Sequence, residues 1–176
     1  DIFLENWYAD LYVIFPDGDG VEALELRNEI VGDSPNVWDQ RGLARFYGWR
    51  GGDDMSKAES IQSSVIAFQD AEYLLDDLHR LGSYQLGAKM HTKAVETFKQ
   101  ILELRPNDAI SLNNYAYLLA TILNDPEAAE PFSLRAVALR PREASFIDTM
   151  ASIQLQLGRH EAALSSLMTK LSLQPN

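Results

Sequence analysis

The chain has 176 residues, enough for one domain with a sizeable core, and its 46% apolar and 23% charged residues exclude global disorder. Its net charge of -11 argues against a broad nucleic-acid-binding surface, because phosphate backbones repel so acidic a chain. The absence of Cys excludes disulfides, cysteine-zinc sites, iron-sulfur clusters and cysteine nucleophiles.

No apolar run approaches the roughly 20 residues of a membrane span, so no membrane insertion is expected. A chain without Cys fits cytoplasm and periplasm equally well, and a soluble protein of either compartment is the expectation. The first residue is Asp1 rather than Met, which reads as a processed or excised fragment with no visible signal peptide.

In chain order, Leu11 to Phe15 is the only β-like run, and its surroundings favour helix. Pro16-Asp17-Gly18-Asp19-Gly20 is a turn, and Val21 to Val31 reads as a helix. Asp17, Asp19 and Glu22 suggest a calcium loop, but Val21 and Glu22 stand where such a loop needs an acid or Asn and then Gly. Ser34-Pro35 is a helix start, and Ser56 with Glu59 reads as a capping box. Between them Arg41, Arg45 and Arg50 interleave with Phe46, Tyr47 and Trp49. An anion-binding patch would look like this, yet Asp33, Asp39, Asp53 and Asp54 surround it. Aromatics packed in the core under arginine stems are the better reading.

Farther on, Leu78, Leu81, Gly82 and Leu86 form one helical stripe, and Ala94, Phe98, Ile101 and Leu102 form a second. Thr92 suits a cap and Pro106 a stop. The next stretch carries Leu112, Tyr115, Ala116 and Leu119, then Asp125-Pro126 as cap and first turn of another helix. The last carries Ile147, Met150, Ala151 and Leu155, then Gly158 as a left-handed helix end, then Ala163, Leu164, Leu167 and Leu171. Pro106, Pro141 and Pro175 close three similar phrases at spacings of 35 and 34 residues. A fixed period in this range marks stacked helical hairpins, each unable to bury its apolar face alone.

Leu81-Gly82, Ala94, Phe98 and Pro106 together resemble the tetratricopeptide-repeat signature. Tyr115-Ala116, Ala129 and Pro141 repeat it with one extra residue, and Met150-Ala151, Ala163, Leu167 and Pro175 repeat it less fully. Asn113 to Ala120 is similar to a phrase common in bacterial members of the family. Trp38, Gly42 and Ala58, and farther back Trp7 and Ala23, fall at the family's spacings. The resemblance implies an all-α, right-handed solenoid of five antiparallel hairpins in a single domain, at 4–34, 35–72, 73–107, 108–142 and 143–176. Small residues such as Gly82, Ala94, Ala116 and Ala129 would let paired helices approach closely.

The functional expectation is a non-catalytic module that binds a peptide or helix of a partner protein in a concave groove lined by first helices. The candidate groove residues are Asp39, Leu43, Phe46, His79, Ser83, Leu86, Asn113, Tyr117, Asp148 and Ser152. The lysines of the family's carboxylate clamp are missing from the matching stretches. No nucleophile, base and orienting acid form a set, and the adjacent pair Asp76-Asp77 reads as a solvated face rather than acid and base. His79, His91 and His160 lie in separate segments without zinc spacing. Neither cofactor nor metal is expected. The alternatives are a self-associating assembly protein, or repeats that regulate a catalytic domain elsewhere. The last helix has an apolar stripe and few charges, which reads as a homodimer contact at a solenoid end or as truncation of a longer solenoid. Residues 1–72 hold 15 acidic and 5 basic side chains, whereas 73–176 hold 11 and 10, so a basic partner is expected toward the first hairpins.

Overall fold

A computed structural model describes residues 37–67 and 73–173. The expected first hairpin at 4–34 lies outside the described residues, as do Trp7, Ala23, the Leu11–Phe15 run, the Asp17 to Glu22 turn, Ser34-Pro35 and Pro175. The described residues are helical throughout their ordered elements and contain no strand. The helices are α1 (Val37–Arg50), α2 (Met55–Ala67), α3 (Leu74–Gly87), α4 (His91–Leu104), α5 (Ala109–Thr121), α6 (Pro126–Leu139), α7 (Ala144–Gln156) and α8 (His160–Leu173). A single 3-10 turn, Gly52–Asp54, separates α1 from α2. The chain forms two compact units divided between Met90 and His91.

In the first unit α1 packs on α2, and α2 on α3. Ala44, Phe46, Tyr47, Ala58 and Tyr84 form its buried apolar cluster. Gly48 is needed where α1 meets α3, because a methyl group there would overlap the Tyr84 ring. The expected capping box does not form. The helix already begins at Met55, so Ser56 lies inside it, and Glu59 is turned into the interior, where it accepts from Gln85 Nε2 at 3.4 Å.

In the second unit α4 packs on α5, α5 pairs with α6, α6 packs on α7, and α7 pairs with α8. Ala116 and Ala129 are both fully buried in one cluster with Leu119, Ala120 and Ile153, so the small side chains sit where α5 and α6 approach. A second cluster joins Ala109, Leu112, Ala136 and Phe146. Asp125 caps α6, accepting from the Ala128 N–H at 3.0 Å, with Pro126 in the first turn as expected. Asp108 caps α5 in the same way, accepting from the Ser111 N–H at 2.9 Å. Gly158 follows α7 with φ 72°, in the left-handed region that favours glycine. Helix α4 starts at His91, which places Thr92 within its first turn rather than at the cap.

Candidate functional site

In the first unit the expected groove residues come from α1 and α3. Asp39 lies on α1, and its side chain is outside the described residues. Leu43 is half-buried against the apolar cluster and borders a shallow depression with Tyr47, Ser56, Lys57, Ser60 and Ile61, on the side of α1 that meets α2. Phe46 corrects the expectation of an open position. It is 4% exposed and meets Tyr47 edge-on at 5.6 Å, because its place on α1 faces the core. His79, Ser83 and Leu86 follow one another along a single face of α3. His79 and Leu86 are half-buried and Ser83 is exposed, its hydroxyl donating to the His79 carbonyl at 3.0 Å.

The most strongly polar place in this unit is one the sequence reading missed. Arg41 on α1 is fully buried and Asp77 on α3 is 2% exposed. Arg41 Nε donates to both carboxylate oxygens at 3.1 and 3.0 Å, and Nη2 donates to Oδ2 at 2.6 Å. Gln62 of α2 donates Nε2 to Asp77 Oδ1 at 3.0 Å, and the guanidinium lies 4.8 Å from the Tyr73 ring centre. Three helices are thereby joined through one carboxylate. The reading of Asp76-Asp77 as a solvated face holds for Asp76 alone. The clue lay in phase: Asp77 shares the stripe of Leu81 and Tyr84, and Arg41 shares the stripe of Ala44 and Gly48.

The other arginine contacts agree with packing rather than anion binding. Arg50 lies over the Phe46 ring at 5.7 Å and pairs with Asp54 at 3.0 Å. Lys57 lies over the Tyr47 ring at 5.0 Å. Trp49 is the exception among the aromatics, at 62% exposure. Burial pushes the Tyr84 phenol above its ordinary 10.0, against the opposing pull of Arg80 and Arg45.

In the second unit the candidates come from α5 and α7, which pack against each other. Asn113 is buried, and its Nδ2 reaches Asn114 Oδ1 at 3.5 Å while its own buried Oδ1 accepts nothing among the described residues. Tyr117, one turn on, is 45% exposed. Ile110 one turn before and Leu155 on α7 are exposed large apolar side chains on the same pair of helices. Ser152 is exposed. Asp148 is exposed but not idle, since Lys170 of α8 reaches its Oδ1 at 2.8 Å.

No group of three or more His, Asp or Glu that could hold a metal occurs among the described residues. No helix among them is long and apolar enough to cross a membrane.

A tetratricopeptide-repeat family model matches residues 78–108. No curated protein matches the sequence significantly. Solved structures do match along nearly the whole chain. MamA from Desulfovibrio magneticus RS-1 is 16% identical, covers 97% of this chain and 94% of its own, and superposes with a TM-score of 0.74. MamA from AMB-1 is 21% identical, covers 99% and 100%, and gives 0.68. YrrB, described as a TPR protein with an unusual peptide-binding site, is 16% identical, covers 96% and 86%, and gives 0.68. Identities this low speak for the fold alone. Helix pairs with small residues at their crossings, a family match over residues 78–108 and this structural likeness together make the chain a bearer of the tetratricopeptide repeat, with the fold of tetratricopeptide-repeat proteins.

Proposed function

We propose that the chain is a non-catalytic protein-interaction module, and that it grips an extended or helical segment of a partner protein along the exposed face of α5 and α7. The observation that carries this reading is Tyr117. It is a large aromatic side chain on the first helix of a pair, 45% exposed although the core beside it is closely packed. An aromatic ring with a polar tip provides contact area at little cost in side-chain entropy. The half-buried amide of Asn114 lies one turn away. Backbone N–H and C=O groups of a bound segment are the natural complement to such an amide. Ile110 and Leu155 add apolar surface, and Ser152 a further hydroxyl. In the first unit His79, Ser83 and Leu86 form a second, separate contact face on α3. The excess of 15 acidic over 5 basic side chains in residues 1–72 favours a basic partner.

The experiment is capture of partner peptides from a random-sequence array by the 176-residue chain and by its Tyr117→Ala and Asn113→Ala variants. Tyr117→Ala should weaken capture at least tenfold, about 1.4 kcal/mol. Equal capture of every peptide by all three proteins would remove this face from the binding surface.

A further inference from the structure

We infer that the turns following α4 and α6 form a docking surface for a short acidic segment of a partner protein, one that carries Asp and Glu beside a large apolar side chain. The two turns are built alike. Leu104-Arg105-Pro106 ends one helix and Leu139-Arg140-Pro141 the other, at the same point of successive repeats. Each closes with the same backbone bond, from the Asp108 N–H to the Arg105 carbonyl at 3.1 Å and from the Glu143 N–H to the Arg140 carbonyl at 3.2 Å. Arg135 of α6 brings them together, its Nη2 donating to the Pro106 carbonyl at 2.7 Å and to Asn107 Oδ1 at 2.9 Å. Arg135 and Leu139 stand at i and i+4, on one face of α6. The side of α6 that leads into the second turn therefore also meets the first.

Charge identifies the occupant. Arg105, Arg135, Arg140 and Arg142 are all exposed, and none pairs with a carboxylate among the described residues, although the chain has 26 acidic side chains against 15 basic ones. Arg159 and Lys170 of the same unit are paired, with Glu130 and Asp148. The acceptors that Arg135 holds are neutral, so its charge is uncompensated. The carboxylates nearest in sequence are engaged locally or lie elsewhere. Asp108 accepts from the Ser111 N–H, Glu143 accepts from the Ser145 hydroxyl, and Glu103 borders a separate depression on α4 with Lys99 and Gln100. Leu104 and Leu139, each just before the arginine of its turn, are 55% and 45% exposed. Guanidinium groups bind carboxylates through paired N–H···O bonds. A phosphate backbone satisfies the same donors but offers no aliphatic side chain to cover the leucines, and the net charge of -11 repels a long polyanion. A short protein segment brings a few carboxylates and an apolar anchor together. Exposed ion pairs contribute little singly, so the docking is weak and salt-sensitive, with a dissociation constant on the order of 10–100 μM.

The test is fluorescence anisotropy of a labelled peptide repeating Asp-Leu-Glu, titrated with the 176-residue chain at low and at high salt. Binding should appear at low salt and weaken as salt is raised. Arg140→Gln should weaken it about threefold, and Arg140→Gln combined with Arg142→Gln at least about tenfold, with helicity by circular dichroism unchanged. Lys99→Gln removes one charge elsewhere on the same unit and should have a smaller effect than Arg140→Gln. Tyr117→Ala should leave binding unaltered, which separates this surface from the face of α5 and α7. Peptides repeating Asn-Leu-Gln or Asp-Ser-Glu should bind at least about tenfold more weakly than the Asp-Leu-Glu peptide. Four outcomes would each overturn the proposal: no binding of the Asp-Leu-Glu peptide at about 1 mM chain, a Lys99→Gln loss as large as that of Arg140→Gln, equal binding of the Asp-Ser-Glu peptide, or tighter binding of an oligouridine RNA than of the Asp-Leu-Glu peptide.

Discussion

Removing the Asp77 carboxylate should be the costliest single-atom-group change in the first unit. In Asp77→Ala the buried Arg41 guanidinium loses three hydrogen bonds to that carboxylate, and the Gln62 amide loses its acceptor. Gln62 Oε1 already accepts nothing among the described residues, so this amide would be left poorly satisfied on both sides. The Tyr73 ring at 4.8 Å offsets only part of the loss. Breaking a buried pair of this kind costs about 3–5 kcal/mol. For a unit of this size each kcal/mol lowers the melting temperature by about 4–8 °C, so the shift should exceed about 12 °C. All three tryptophans, Trp7, Trp38 and Trp49, precede Met90, so tryptophan fluorescence during urea unfolding follows the first unit selectively. The control is a double-mutant cycle with Arg41→Leu and Asp77→Leu, in which the double variant should cost much less than the two singles together. An Asp77→Ala cost under about 1 kcal/mol, or strictly additive effects, would refute the reasoning that this pair joins the three helices.

Three further outcomes follow from local geometry. Gly48→Ala should destabilise the first unit by about 1–3 kcal/mol in the same fluorescence assay, because the added methyl overlaps the Tyr84 ring. Asp125→Ala should cost about 1 kcal/mol, read as loss of helicity in thermal melts, because the Ala128 N–H loses its acceptor at the start of α6. The raised phenol of Tyr84 contributes stability that is present in full below 10.0 and declines as pH rises through the elevated value in the fold. Alkaline unfolding should therefore be less steep in Tyr84→Phe than in wild type, and superimposable curves would contradict this.

The parts of the fold that were legible in the sequence are those specified by local chemistry. Pro106 and Pro141 lie just beyond the ends of α4 and α6, where a residue without an N–H cannot extend the helix. Asp125-Pro126 marks the start of α6, and Gly158 the end of α7, for equally local reasons. The stripes through Ala116 and Ala129 point to the crossing of α5 and α6 because a helix buries one face at a fixed period. What was hidden depends on partners distant in sequence. Arg41 and Asp77 are 36 residues apart, and each has the composition of a solvated charge until the other is placed beside it. Ser56 and Glu59 have the spacing of a capping box, but the 3-10 turn before Met55 moves the helix start and Gln85 claims the glutamate. Phe46 was assigned to an open face by its position in the repeat, while the core formed with Tyr84 and Ala58 takes the ring instead. For the candidate site, the exposure of Tyr117 was legible from the repeat register, whereas the burial of Asn113 on the same helix was not. The engagement of Asp148 by Lys170 was not, since it depends on how α8 lies against α7.

The most direct test of the interaction role is site-specific photocrosslinking in lysate of the organism that makes the chain. A benzophenone amino acid would replace Tyr117 on the open face of α5, and in a second protein Lys99 on the exposed side of α4. Crosslinks to one or a few partner proteins from position 117, absent or much weaker from position 99, are the predicted result. Equal crosslinking from the two positions, or none from position 117, would contradict the account.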